Sequence, residues 1–348
     1  MSFDNPKAFA DHIRTSEHEY AAEAEDLAAR QAALRDRYAQ EIADTGYQPE
    51  RDFSPTRTAY QEVIEMIAEA FYTTLSQKLA TAFRERFSFS TIDNRRLNAS
   101  IRRSADGRFY AVLVNSTLIT AMARLGKLDY AILHPDQVHS CSRFPGKPGT
   151  HEQYREIQRE VYAHFLATKL PLGPQLLLNN PLNQVHLTML GIKENLIVYH
   201  EIAHFLNGDL EPGAEQRPAI APFPNAAYQR EHLADIVGTG LLLRQMRHQG
   251  TLDARRRYQL ILALIELFQL QHDIQGIETE RYPHPLNRMS VVISKFYGAA
   301  TEEWVARAIL DQRPQDLAIE HFAPDLAGEA LVLGYIEQQL NTAFAPSP

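Results

Sequence analysis

Cysteine is nearly absent. Cys141 is the only one among 348 residues, so no disulfide can form within the chain and a reducing compartment fits best. No partner for Cys141 is legible, so it reads as inert and not as a nucleophile. Long apolar runs are missing too. The best candidates, around 236–243 and 260–270, are short and interrupted, well under the roughly 18 residues that a membrane-spanning helix needs. Positive charge is not in excess: 35 Lys and Arg face 43 Asp and Glu for a net charge of -8. That balance argues against general binding to nucleic acid or to a membrane surface. The opening MSFDNPKAFADHIR lacks the basic-then-apolar pattern of a secretion signal. Internal repeats and low-complexity tracts are absent as well. These absences predict a soluble, cytoplasmic protein, long enough for one large domain or two modest ones with a real core.

What is present is mostly helical patterning. Residues 6–44 are charged, alanine-rich and almost free of Gly and Pro. Ile13, Tyr20, Leu27 and Leu34 recur at sevens with mixed companions, which suits a short coiled-coil hairpin or an arm better than a long zipper. A second helix is expected over about 57–87, with Tyr60, Val63, Ile64, Ile67, Phe71 and Leu75 on one side. Asp106-Gly107 marks a turn, and 109–114 (FYAVLV) is the best strand in the chain. Helix is expected again at 118–125 and 151–169, separated by a Pro-, Gly- and Ser-rich loop at 134–150. An irregular stretch then runs to about 190. Beyond it the pattern predicts helices at 193–207, 226–248, 252–275, 286–311 and 325–342, with a Pro-rich loop at 208–225. The fold class is therefore mainly α with a small β-sheet (α+β). An N-terminal helical region over 1–100 precedes the main domain over 101–348.

The chemistry sits in His200-Glu201-Ile202-Ala203-His204. On a helix, residues four apart share a face, so both imidazoles reach one ion. The glutamate between them points aside, where it can act on a water as general base instead of ligating. Ile197, Ile202, Phe205 and Leu206 give the same helix a buried stripe, and Asn207-Gly208 supplies its stop. A catalytic zinc needs a third protein ligand and an open position. The metzincin pattern fails, because Asn207 stands where it requires glycine and Leu210 where it requires a ligand. Glu231-His232-Leu233-Ala234-Asp235 is the strongest source. Glu231 and Asp235 are four apart, so Glu231 can ligate while Asp235 accepts the outer N–H of a ligating histidine. Asp209 is a weaker candidate because it follows Gly208. His232 points away from Glu231. Arg255-Arg256-Arg257 reads as a solvated helix start.

H-E-x-x-H followed on a second helix by E-x-x-A-D resembles the gluzincin metallopeptidases. The CAAX prenyl proteases and HtpX-type proteases are nearest in pattern, and the ImmA/IrrE peptidases are looser relatives. The resemblance spans about 109–300. It implies a zincin-like domain over 101–348 and zinc-dependent endopeptidase activity, with Glu231 as third ligand and Asp235 as its structural partner. His284-Pro285-Leu286-Asn287-Arg288 is similar to a segment whose histidine and arginine assist catalysis in those enzymes. It implies catalytic help from His284 and a supporting role for Arg288. The histidine-to-arginine spacing here is shorter than in those families. The resemblance also implies that strand 109–114 is the edge strand holding substrate backbone.

The expectation is one Zn2+ per chain on His200, His204 and Glu231, with Glu201 as general base and a cytoplasmic protein or peptide as substrate. An ImmA/IrrE-like regulatory peptidase would act on one such partner. The residues are also compatible with an interaction protein whose zinc site is structural or vestigial. Neither oligomeric state nor substrate identity is legible.

Overall fold

A computed structural model describes residues 2–17, 60–92, 96–144, 146–168, 173–214, 223–275, 279, 282–310, 319 and 322–344. The heptad-like positions beyond residue 17 lie outside the described residues. Among those described are eleven α-helices and two small sheets, a mainly α architecture with a little β. No described helix is long and apolar enough to cross a membrane.

Helix α1 (Pro6–Ser16) is followed, among the described residues, by α2 (Gln61–Thr73) and α3 (Gln77–Arg86). The single helix expected over 57–87 is in fact two. The N–H groups of Thr74 and Leu75 turn back onto the carbonyls of Phe71 and Tyr72 at 3.0 and 3.1 Å. Ser76 then caps α3, its hydroxyl accepting the Leu79 N–H at 3.4 Å. A serine that can satisfy an orphan N–H favours a fresh start over continuation, although the apolar pattern runs through.

Strands β1 (Phe87–Ile92), β2 (Ala99–Arg103) and β3 (Tyr110–Asn115) form a sheet ordered β1-β3-β2, with β1 parallel and β2 antiparallel to β3. The strand expected at 109–114 is thus central and not an edge. All six of its residues are buried, a pattern that requires cover on both faces. Tyr110, Val112 and Val114 belong to the main core, whereas Ala111 and Leu113 meet Phe9, Ala10 and Ile13 of α1 on the opposite face. The edge nearest the candidate site is β2. A division at residue 100 falls within β2, and Ile64, Phe71 and Phe83 share one core with the later helices.

Helix α4 (Ser116–Leu133) follows directly from β3. The segments read as loop and irregular stretch contain β4 (Val138–Cys141) and β5 (Leu176–Leu178), which pair antiparallel on either side of α5 (His151–Thr168). Strands of three or four residues carry too little alternation to register as a period. Cys141 is buried in β4.

Helix α6 (Asn180–Leu206) starts well before the expected 193, with a proline in its first turn. Residues such as Met189, Leu196, Val198, Tyr199, Ile202 and Leu206 bury nearly its whole circumference, as expected of a central helix. Truncating Ile202 to alanine should cost about 2–5 kcal/mol. Around α6 pack α4, β2, α7 (Ala226–His248) and α8 (Ala254–Gln275). The chain closes with α9 (Pro285–Tyr297), α10 (Ala299–Leu310) and α11 (Leu326–Ala343). The helix expected at 286–311 is interrupted at Gly298. Arg257 departs from the solvated helix start: it is buried against Glu329 of α11 at 2.8 Å.

Contact between α6 and α7 positions the site. A Cβ added to Gly238 would lie 2.8 Å from the His200 backbone nitrogen and 3.0 Å from its Cα. Glycine lets the two backbones nearly touch beside His200, which brings the preceding turns of α7 alongside the motif.

Candidate metal centre

His200 and His204 project from one face of α6, rings edge-on with centroids 4.7 Å apart. Their Nε2 atoms are 3.1 Å apart. From α7, Glu231 brings Oε2 to 3.6 Å from His200 Nε2 and Oε1 to 3.9 Å from His204 Nε2. These are the described residues whose donor atoms gather closely enough for a metal ion. Ligands about 2.0–2.2 Å from a tetrahedral zinc stand about 3.3–3.5 Å apart. The three gaps bracket that spacing.

Each imidazole has its own carboxylate. Asp235, one turn beyond Glu231, is 2.8 Å from His200 Nδ1, and Asp209 is 2.8 Å from His204 Nδ1. The second pairing comes from how α6 ends. Gly208 adopts φ 72, its N–H bonding Phe205 O at 3.0 Å while the Asp209 N–H bonds His204 O at 2.9 Å. This Schellman turn folds Asp209 back beneath the histidine whose carbonyl it caps. Carboxylates at both Nδ1 atoms fix the Nδ1–H tautomer and leave both Nε2 lone pairs aimed at each other. At 3.1 Å that arrangement needs a cation between them, either a proton or a metal. The donor set fits zinc: two imidazole nitrogens, one carboxylate and outer partners already in place.

Arg288 of α9 supports the site from beneath. Its Nε and Nη2 each donate to Asp235 at 2.7 Å, and Nη2 lies 3.4 Å from Glu231 Oε2. Burial opposes the charge on Asp235, but Arg288 and His200 outweigh it and hold the carboxyl well below its usual range. Burial likewise opposes the charge on His204. Its bond to Asp209 and the charges of Glu201, Glu231 and Asp209 prevail and hold it up at about 9. With both histidines neutral, as metal ligands must be, four carboxylates (Glu201, Asp209, Glu231, Asp235) face two guanidiniums (Arg230, Arg288) around the cleft. The resulting -2 matches a divalent cation.

The centre opens into a cleft of about 470 Å³. Residues 97–101, leading into and along β2, form one wall; Leu196, Ile197, Leu264, Leu267 and Phe268 give it an apolar stretch. Glu201 lines the same cleft, and its carboxylate has no hydrogen-bond or ion-pair partner among the described residues.

No protein-family model, curated protein or solved structure matches the chain.

The residues singled out from sequence do not all meet. His200, Glu201, His204, Glu231, Asp235 and Arg288 share the cleft wall. His284 does not join them: it caps α9 by accepting the Leu286 N–H at 3.3 Å, with its ring 4.9 Å from that of His272. It is not among the residues that line the cleft. Arg288 anchors Asp235 and gains no direct place in the chemistry. His232 is turned away, stacked on Phe223. Two contributors escaped the sequence reading. From sequence Asp209 reads only as a weak ligand candidate, although the Gly208 stop is the signal that returns it to His204. Gly238 carried no signal, since its role depends on which helix it touches.

Proposed function

We propose that this chain is a zinc-dependent endopeptidase with a zincin-like fold, acting on a protein or peptide substrate in the cytoplasm. His200, His204 and Glu231 would hold one zinc per chain. When bound there, zinc supplies a Lewis acid that brings the pKa of water toward about 7 and polarises a peptide carbonyl.

The chain's own residues divide the remaining work. Asp235 and Asp209 accept the Nδ1 protons of His200 and His204 and so keep both Nε2 lone pairs available. Arg288 fixes Asp235 through two bonds. Glu201 accepts a proton from the attacking water on its carboxylate as the water oxygen bonds to the scissile carbon. The same carboxylate then delivers a proton to the amide nitrogen as the C–N bond breaks. The outer edge of β2 has no strand partner among the described residues, so an extended peptide could add there as a further strand. The neighbouring apolar stretch suits an apolar side chain.

One observation carries the reading. A set of three candidate ligands opens onto a cleft beside a carboxylate with no hydrogen-bond or ion-pair partner among the described residues. Structural zinc sites are closed by four protein ligands, whereas catalytic ones keep a position open. That contrast favours catalysis over an interaction protein with a structural zinc. The test compares wild type with Glu201→Gln, both shown to be zinc-loaded, by mass spectrometry of new protein N-termini in cells or lysate. Termini that appear only with wild type and vanish with a chelator would support peptidase activity. Identical termini in both, under conditions where the protein has its biological effect, would refute it.

A further inference from the structure

Arg230 immediately precedes the ligand Glu231 on α7 and lines the cleft. Its Nη1 is shielded from solvent and has no hydrogen-bond partner. The side chain also forms no ion pair among the described residues. The contrast with Arg288 is sharp. That guanidinium is committed to Asp235 and Glu231, so its charge is spent inside the protein. Nor does Arg230 pair with the adjacent Glu231, since consecutive helix residues point about 100° apart. Nη1 itself is out of reach of a ligand, but the guanidinium carries further donors, and no carboxylate among the described residues neutralises its charge at the cleft wall.

Charge points to the acceptor. With a divalent cation at the centre, the formal charge around the cleft comes to zero, counting Arg230 as one of the two cations. A carboxylate entering such a cleft has two cationic places open to it: the open position of the metal, which the water and the scissile carbonyl use, and the planar donor edge of Arg230. We propose that Arg230 is a specificity residue that binds a carboxylate of the peptide substrate. Two sources share this chemistry, an acidic side chain near the scissile bond and the free C-terminus of a short peptide. The inference deepens the peptidase reading and rests on it for the identity of the ligand.

The experiment separates these possibilities by measuring binding in the zinc-loaded Glu201→Gln background. The probes are acetylated alanine hexapeptides with a central leucine. Each carries either Glu or Gln beside the leucine, and either a free or an amidated C-terminus. Calorimetric titration should show one carboxylate form binding about 10- to 100-fold tighter than its neutral match. The arm that shows the difference names the source. Arg230→Gln should abolish the preference, Arg230→Lys should retain part of it, and salt should weaken it. Because Arg230 makes no hydrogen bond or ion pair among the described residues, zinc content and melting temperature should stay close to wild type in both variants. Equal binding of all four peptides, no binding of any, or a preference that persists in Arg230→Gln overturns the assignment. The peptidase reading can fail separately. Arg230-dependent binding without wild-type cleavage would sink that reading and keep this one, while cleavage without carboxylate preference would do the reverse.

Discussion

Removing the Asp235 carboxylate should have two separable effects, because it serves two partners. It accepts the Nδ1 proton of His200 at 2.8 Å and both Arg288 donors at 2.7 Å. In Asp235→Ala the guanidinium stays buried without its counterion, a change that costs about 3–5 kcal/mol. His200 also loses the acceptor that orients it, which should weaken zinc binding about 10- to 100-fold. A third consequence follows from position. Arg288 Nη2 already lies 3.4 Å from Glu231 Oε2, so once freed it should move onto that carboxylate and compete with zinc. The double variant Asp235→Ala/Arg288→Met removes the stranded charge. Urea unfolding of zinc-free protein should show most of the lost stability regained. Competition with a chelator should show zinc affinity improved over the single variant but still about 10- to 100-fold below wild type. Wild-type zinc affinity in the double variant would refute the reasoning, since Asp235 would then matter only as the counterion of Arg288.

Gly238→Ala should force α6 and α7 apart, because the new Cβ would meet His200 backbone atoms at 2.8–3.0 Å. A loss of about 1–3 kcal/mol in urea unfolding and weaker zinc binding are expected; unchanged zinc affinity would show that the contact does not set the site. In zinc-free protein the His204 pKa is raised from 6.5 to about 9, so its stabilisation is complete below pH 6.5 and disappears as pH rises through 9. The unfolding free energy from urea titrations should fall across that window by an amount on the order of 3 kcal/mol, Asp209→Asn should flatten the fall, and a flat wild-type profile would contradict the assignment. Glu329 is fully buried against Arg257 and Arg247. Glu329→Ala should therefore cost about 3–5 kcal/mol while leaving zinc stoichiometry intact, and a loss of zinc would show that the pair reaches the site.

Much of the helical framework was legible because it is written in local patterns. Helix α7 matches its expected span from 226 to 248, with Asn225 as cap and a long apolar periodicity. The misplaced features depend on tertiary partners. The family resemblance implies an edge strand at 109–114, yet the unbroken burial of β3 reflects α1 on one face and the core on the other. The α2–α3 break turns on one serine hydroxyl. At the candidate site, spacing alone was enough to nominate His200, His204, Glu231 and Asp235, because four-residue intervals on two helices define two faces. Spacing could not reveal that Arg288 is held by Asp235 or that His284 caps α9 outside the cleft lining. Both follow from how α9 docks, a matter of packing and not of periodicity.

His200 and His204 of α6 and Glu231 of α7 are proposed to hold one metal ion between two helices. The decisive measurement is zinc per chain, by mass spectrometry on wild type and Glu231→Ala after identical loading and desalting. About one zinc is expected in wild type and little in Glu231→Ala, since three protein ligands are the minimum for such a site. A wild-type protein that retains no zinc, or a Glu231→Ala variant that retains a full equivalent, would contradict it.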